Sequence, residues 1–177
     1  PAYSGRLGRS IFTIGGKRMN LPLEELLVNK LIENNWHISC AESCTGGLVA
    51  SRIVNVANAS KVFDTSFVTY ANEAKIKYLG VSPETIVKYG VVSEEVVLEM
   101  AAGVAEETGA QIGIAISGIA GPSGGTEKKP VGMVCFGFYV NGKITTRTCL
   151  FGNPGRNEVR ALSTEYALQT ALELISQ

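Results

Sequence analysis

The stretch "HISCAESCTGGLVAS", residues 37–51, changes its periodicity in the middle. Trp36 to Ala41 reads as a short strand, and residues 46–57 carry Leu48, Val49, Ile53 and Val56 at helical spacing. Glu42, Ser43, Cys44, Thr45, Gly46 and Gly47 fill the junction between them. A strand that turns at once into a helix is the repeating joint of an α/β chain. This joint supports several chemistries. Ser43 can act as a nucleophile if a base activates it, and Cys44 can do so because a helix start lowers a thiol pKa. The N–H groups around Thr45, Gly46 and Gly47 can hold a phosphate or an oxyanion. Ser43 or Thr45 can also serve only as the helix cap, with the glycines allowing a tight turn. The joint lacks the GxGxxG order, and no GKS or GKT completes a phosphate loop.

Working outward, residues 22–35 form an amphipathic helix through Leu23, Leu26, Leu27 and Leu31. After the joint, "KVFDTSFVTY" (61–70) reads as a strand and "NEAKIKYLG" (72–80) as a short helix ending at Gly80. Pro83 suits a helix start, and Ser93 caps a helix through about Thr108. "QIGIAISG" (111–118) is a strand entering the glycine-rich segment "SGIAGPSGGTEKKPVG" (117–132). "MVCFGFYV" and "KITTRTCLF" flank Asn141–Gly142, a two-residue hairpin signal. A final helix covers about 154–175. Alternation early and a hairpin late predict one α/β domain with a mixed sheet and helices on both faces.

Composition narrows the function. The 177 residues are 45% hydrophobic, enough for one well-cored domain, and the formal charge is zero. Residues 1–18 carry four basic and no acidic side chains and little periodicity; Met19 then opens a plausible start. We expect 1–18 to be an appendage and 19–177 the domain, with 12 basic against 16 acidic side chains. No nucleic-acid partner is expected from this balance. Cys40, Cys44, Cys135 and Cys149 form no CxxC pair and, with His37 the sole histidine, no zinc set. No apolar run approaches ~18 residues, so neither a membrane partner nor a signal peptide is expected, and a reducing cytoplasmic setting suits the thiols.

The second glycine-rich loop adds to the first. Gly118, Gly121, Gly124 and Gly125 lie within eight residues, accompanied by Ser117, Ser123, Thr126, Lys128 and Lys129. Such a connection can wrap an anion with backbone donors, and two such loops after two strands can meet at one sheet edge. His37 precedes its loop on a strand and is a poor general base. A lysine can serve instead when burial or positive charge lowers its pKa. Lys75 is the best placed, since it follows a strand ending at Tyr70 and opens the next helix, although it also reads as a surface lysine like Lys77 and Lys88. Tyr70 can relay a proton or donate to an oxyanion.

Several segments together resemble the CinA C-terminal domain family in stand-alone form: "AESCTGGLVA" (41–50), "FVTYANEAK" (67–75), "GVVSEEVVLEMAAG" (90–103), "SGIAGPSGGTEKKPVGMV" (117–134) and "RALSTEYALQTAL" (160–172). The resemblance covers nearly everything from Met19 onward. It implies a three-layer α/β/α fold and an amidohydrolase that converts nicotinamide mononucleotide to nicotinic acid mononucleotide and ammonia in pyridine-nucleotide recycling. It places a catalytic serine at Ser43, a lysine at Lys75 and an assisting tyrosine at Tyr70. Ala71 departs mildly from the serine of many relatives. Glu42, Thr45, Gly46, Gly118, Ala120, Gly121, Gly124 and Gly125 are the expected oxyanion and substrate-binding positions. No metal or cofactor is implied, and a homo-oligomer, with a dimer favoured, is. Longer members carry an N-terminal domain associated with pyrophosphatase activity; 177 residues leave no room for it, so that activity is not expected here. Two other readings remain open: a weak or inactive nucleotide-binding module of the same fold, and a cysteine hydrolase built on Cys44.

Overall fold

The computed structural model describes residues 21–177 together with the backbone of two short paired strands, β1 (Phe12–Ile14) and β2 (Lys17–Met19). Most of the segment set apart as an appendage therefore lies outside the described residues. The remaining elements are α1 (Leu23–Asn34), β3 (Ile38–Glu42), α2 (Leu48–Val54), β4 (Phe67–Val68), α3 (Asn72–Leu79), α4 (Pro83–Tyr89), α5 (Glu94–Thr108), β5 (Ile112–Gly118), β6 (Met133–Val140), β7 (Lys143–Leu150) and α6 (Arg156–Ile175).

Five strands form one sheet in the order β4-β3-β5-β6-β7, parallel across β4-β3-β5 and antiparallel across β5-β6-β7. The mixed sheet expected from alternation followed by a hairpin is present. Asn141 (φ 46°) and Gly142 (φ 87°) make the tight β6–β7 turn, both in the left-handed region that such a turn needs. β3 is buried along its whole length, as a parallel strand covered on both faces must be.

The two faces of the sheet differ in bulk. Ile38, Cys40, Ile112, Ile114, Ile116, Val134, Phe136 and Phe138 pack with α1, α2 and α6 in one apolar cluster. Ala41, Ala115 and Cys135 meet Val96, Val97, Met100, Ala101 and Val104 of α5 in the other. Small residues let α5 lie directly on the strands: a Cβ built on Gly137 would stand 2.1 Å from the Val97 carbonyl oxygen, and one on Gly113 would stand 2.6 Å from that of Ala101. Helices on both faces make three layers. No helix among the described residues is long and apolar enough to cross a membrane.

Three expected boundaries move, each for a local reason. The strand expected over 61–70 shrinks to Phe67–Val68. Its approach to β3 is held instead by side chains, with Ser39 Oγ donating to the Thr65 carbonyl at 2.9 Å and Ser66 Oγ to that of Cys40 at 2.8 Å. The helix expected from residue 46 begins at Leu48, because Gly46 (φ 60°) and Gly47 (φ 97°) are both left-handed. The strand expected from Trp36 runs Ile38–Glu42, one residue further into the joint. Ser82 and Ser93 cap α4 and α5 by accepting from Glu84 and Thr85, and from Val96.

The close seat of α5 yields a stability prediction. Gly137→Ala would push against the Val97 backbone and the Ala101 Cβ, neither of which can swing aside, so it should destabilise the fold by about 3 kcal/mol. The check is a lowered urea midpoint at unchanged slope; a midpoint equal to wild type would show that α5 shifts freely.

Candidate active site

β3 has β4 on one side and β5 on the other, and the chain leaves it through α2 on one face and returns to β5 through α5 on the other. The carboxyl end of β3 is thus a point where the winding reverses, the place where open α/β sheets form a crevice. The joint of residues 42–47 sits there.

Glu42 organises it. Its side chain is fully buried, and its carboxylate accepts three main-chain hydrogen bonds: Oε2 from Gly47 at 3.0 Å and Val49 at 3.1 Å, and Oε1 from Ala50 at 2.9 Å. A carboxylate on the unpaired N–H groups of a helix start is favoured by both hydrogen bonding and the helix dipole. Both oxygens of Glu42, expected among the substrate-binding positions, are engaged inside the fold. Neither Ser43 nor Thr45 caps α2, and the Thr45 hydroxyl is buried with no hydrogen-bond partner among the described residues.

Ser43 follows immediately and is half-buried, its N–H donating to the Ile116 carbonyl of β5 at 3.0 Å. Lys75 arrives from α3, with its side chain fully buried. Its Nζ lies 3.3 Å from Ser43 Oγ and donates to the carbonyls of Thr69 at 2.7 Å and Tyr70 at 3.2 Å. These three contacts aim the amine at the serine. Among the described residues no carboxylate touches Nζ, and burial lowers the Lys75 pKa to about 8. The pair expected from the sequence, Ser43 and Lys75, is brought within hydrogen-bond reach.

Tyr70 is placed differently. Its main-chain carbonyl meets Lys75, but its ring is exposed and its hydroxyl is bonded to Arg156 at 2.9 Å. Cys44 is buried, and that burial pushes its thiol up to about 12, the reverse of what a thiolate nucleophile requires. His37 lies at the opposite end of β3, its Nδ1 2.7 Å from Asp64.

The second loop is tied into the fold. Gly118 and Gly121 lie against the side chains of Val134 and Val131, and Gly125 lies against the Val131 backbone. Ala120 is buried and Gly124 is left-handed at φ 90°. Ser117 Oγ donates to the Val91 carbonyl, and Lys129 Nζ to the carbonyls of Tyr89 and Val92. Ser117 and Lys129 are committed to the fold, whereas Ser123 and Lys128 are exposed.

Two arginines of α6 were not foreseen. Arg156 donates to the Gly121 carbonyl at 2.8 Å and to Tyr70 Oη, joining the glycine-rich loop to the tyrosine. Arg160 donates through Nε to the Cys44 carbonyl and through Nη2 to that of Thr45, both at 3.0 Å. Their signal in the sequence is position: cations in the opening turns of a helix are electrostatically out of place unless something else holds them.

The profile of the CinA C-terminal domain matches residues 20–175. The chain belongs to the CinA C-terminal domain family. It is 51% identical over 163 residues to a CinA-like protein of Kosmotoga olearia, covering 92% of this chain and 38% of that protein. A CinA-like protein of Chloroherpeton thalassium is 53% identical over 147 residues, covering 83% and 34%. The chain thus spans well under half the length of these relatives. Among solved structures, the competence/damage inducible protein CihA from Agrobacterium tumefaciens superposes with a TM-score of 0.83 at 38% identity, over 88% of this chain and 96% of that one. The competence damage-inducible protein A (ComA) from Klebsiella pneumoniae gives 0.84 at 36%, over 88% and 96%. The match extends over the whole three-layer domain of this CinA-family chain.

Lys75 makes stability depend on pH. Its pKa is about 8 when folded and near 10.5 when unfolded, so the unfolded chain binds more protons between those values. Stability contributed at Lys75 therefore rises as pH increases from about 8 to 10.5 and is flat below it. Urea unfolding of wild type beside Lys75→Met should show the wild type gaining on the variant across this window; a constant difference would mean that Lys75 is not desolvated.

Proposed function

We propose that this domain is a serine–lysine amidohydrolase whose substrate is nicotinamide mononucleotide. The observation that carries the reaction class is the buried Lys75 amine 3.3 Å from Ser43 Oγ, with its pKa lowered to about 8. The substrate follows from the family resemblance in the joint, the Tyr70–Lys75 segment and the second glycine-rich loop.

In the first half-reaction the neutral Lys75 amine takes the proton of Ser43 as Oγ attacks the carboxamide carbon. The carbonyl π pair moves to oxygen, giving a tetrahedral oxyanion. Its donor is the main-chain N–H of Thr45, which has no acceptor among the described residues. The Gly46 N–H is engaged with the Ser43 carbonyl at 3.1 Å, so it is the weaker candidate of the two expected from the sequence. When the oxyanion collapses, the C–N bond breaks and the Lys75 ammonium gives its proton to the departing amine, releasing ammonia. Water then attacks the nicotinoyl ester, Lys75 takes its proton, and the C–O bond to Ser43 breaks with return of that proton to Oγ. No cofactor enters.

Tyr70 acts at the rim in this scheme. Its hydroxyl and the Arg156 guanidinium form one donor-rich edge beside the glycine-rich loop, suited to the 5′-phosphate.

Ammonia release from nicotinamide mononucleotide tests the proposal directly. Ser43→Ala should fall below about one-thousandth of wild-type turnover while unfolding normally. Undiminished release, or nucleotide binding without any release, would overturn it. Because protonated Lys75 cannot accept the serine proton, kcat/KM should rise with pH and level off above about 8. A profile flat from pH 6 to 9 would exclude Lys75 as the base. Arg156→Ala should raise KM about tenfold for the nucleotide, with little change for the phosphate-free riboside.

A further inference from the structure

Arg160 holds the joint from behind. Its Nε and Nη2 present two N–H groups at fixed spacing on one edge of a planar fork, and here they land on carbonyls of successive residues, Cys44 and Thr45. Each carbonyl is one end of a trans peptide plane, and the other end of that plane carries an N–H pointing the opposite way. The partner of the Cys44 carbonyl is the Thr45 N–H, and the partner of the Thr45 carbonyl is the Gly46 N–H. Pulling both carbonyls toward α6 therefore turns both N–H groups away from it. Gly46 N–H closes the turn on the Ser43 carbonyl, which leaves Thr45 N–H directed and without an acceptor among the described residues.

The cation also acts through the bond. A guanidinium on an amide oxygen draws electron density from the nitrogen of the same amide, and the N–H becomes a stronger donor. Arg160 places both of these N–H groups on carbonyls of the joint, whereas Arg156 bonds the Gly121 carbonyl of the second loop and the exposed Tyr70 hydroxyl.

We propose that Arg160 is a positioning residue for catalysis: it aims and polarises the Thr45 N–H that stabilises the oxyanion on Ser43. This rests on Ser43 being the nucleophile of the proposed reaction, and it adds a group that the substrate never touches. The role differs from a simple tie between α6 and the joint, because a tie contributes to stability and leaves the rate of the folded enzyme unchanged.

The test compares Arg160→Gln and Arg160→Lys in the full chain with two substrates. One is nicotinamide mononucleotide; the other is p-nitrophenyl acetate, a small ester that acylates a serine without ring or phosphate recognition. Both variants should lose about 10- to 100-fold in kcat, less than the ~10²–10³-fold loss from deleting an oxyanion donor, because the Thr45 N–H is still present. The loss should be of the same size for both substrates, KM for the nucleotide should move less than about twofold, and added guanidinium ion should restore part of the rate to Arg160→Gln. The amide nitrogen resonance of Thr45 should shift in the variants while that of Val97, in α5 on the other face of the sheet, stays in place.

A rise in KM confined to the nucleotide would make Arg160 a substrate ligand and overturn the proposal, as would unchanged kcat with only a lowered melting temperature. If wild type acylates on Ser43 with the ester but releases no ammonia, the substrate assignment fails, and an Arg160-dependent ester rate still supports this inference. If the ester does not react at Ser43 in wild type, the inference fails with the nucleophile.

Discussion

The placement of one carboxylate governs everything around the site. Glu42 is the last residue of a strand buried on both faces, and its oxygens meet the N–H of Gly47 and those of Val49 and Ala50 in α2. A buried charge is costly unless fully bonded, and a helix start without partners is costly as well; each need here is met by the other. The arrangement fixes where β3 ends, where α2 begins and how sharply the chain turns between them. Ser43 is consequently the first residue beyond the sheet, held on its other side by Ile116. Lys75 can then be aimed at it from α3 without any flexible segment intervening.

Charge is distributed around this turn with some economy. The negative charge at Glu42 is absorbed by the helix start. Lys75 is kept among carbonyls with no carboxylate in contact among the described residues, so burial outweighs the opposing pull of Cys44 and Glu73 and favours the neutral amine. The permanent positive charge is supplied by arginines, which stay protonated. The cation required to lose its proton and the cations required to keep theirs are therefore different residue types in adjacent positions.

Much of this was legible in the sequence. The α/β class, the hairpin at Asn141–Gly142, the helix start at Pro83, the cap at Ser93, and the pairing of Ser43 with Lys75 follow from local patterns or from the family resemblance. What failed was long-range. The strand over 61–70 looked continuous because Val62, Phe63, Phe67 and Val68 are all apolar, yet the first two pack beneath a turn that sequence periodicity does not register. A carboxylate beside a nucleophile suggests chemistry, and nothing local announces that the partners of Glu42 lie five to eight residues ahead, at the helix start. Arg156 and Arg160 stand more than 100 residues from the joint, and an i,i+4 pair of arginines on an amphipathic helix resembles any solvated face. Ser117 and Lys129 drew attention for their polarity and instead bind carbonyls of the α4–α5 connection.

The ties of the second glycine-rich loop bear on how a ligand would be received. Glycine-rich loops over active sites commonly act as lids, ordered only when the ligand arrives. In this one Lys129 is anchored to Tyr89 and Val92, Gly121 to Arg156, and Ile119 exchanges main-chain hydrogen bonds with Met133 and Gly132. The conformational entropy of the segment is thus largely lost at folding and need not be lost again on binding. A wall prepared in advance lets a small ligand bind with modest contact area, and it places selection in the shape of the wall and not in a closing motion.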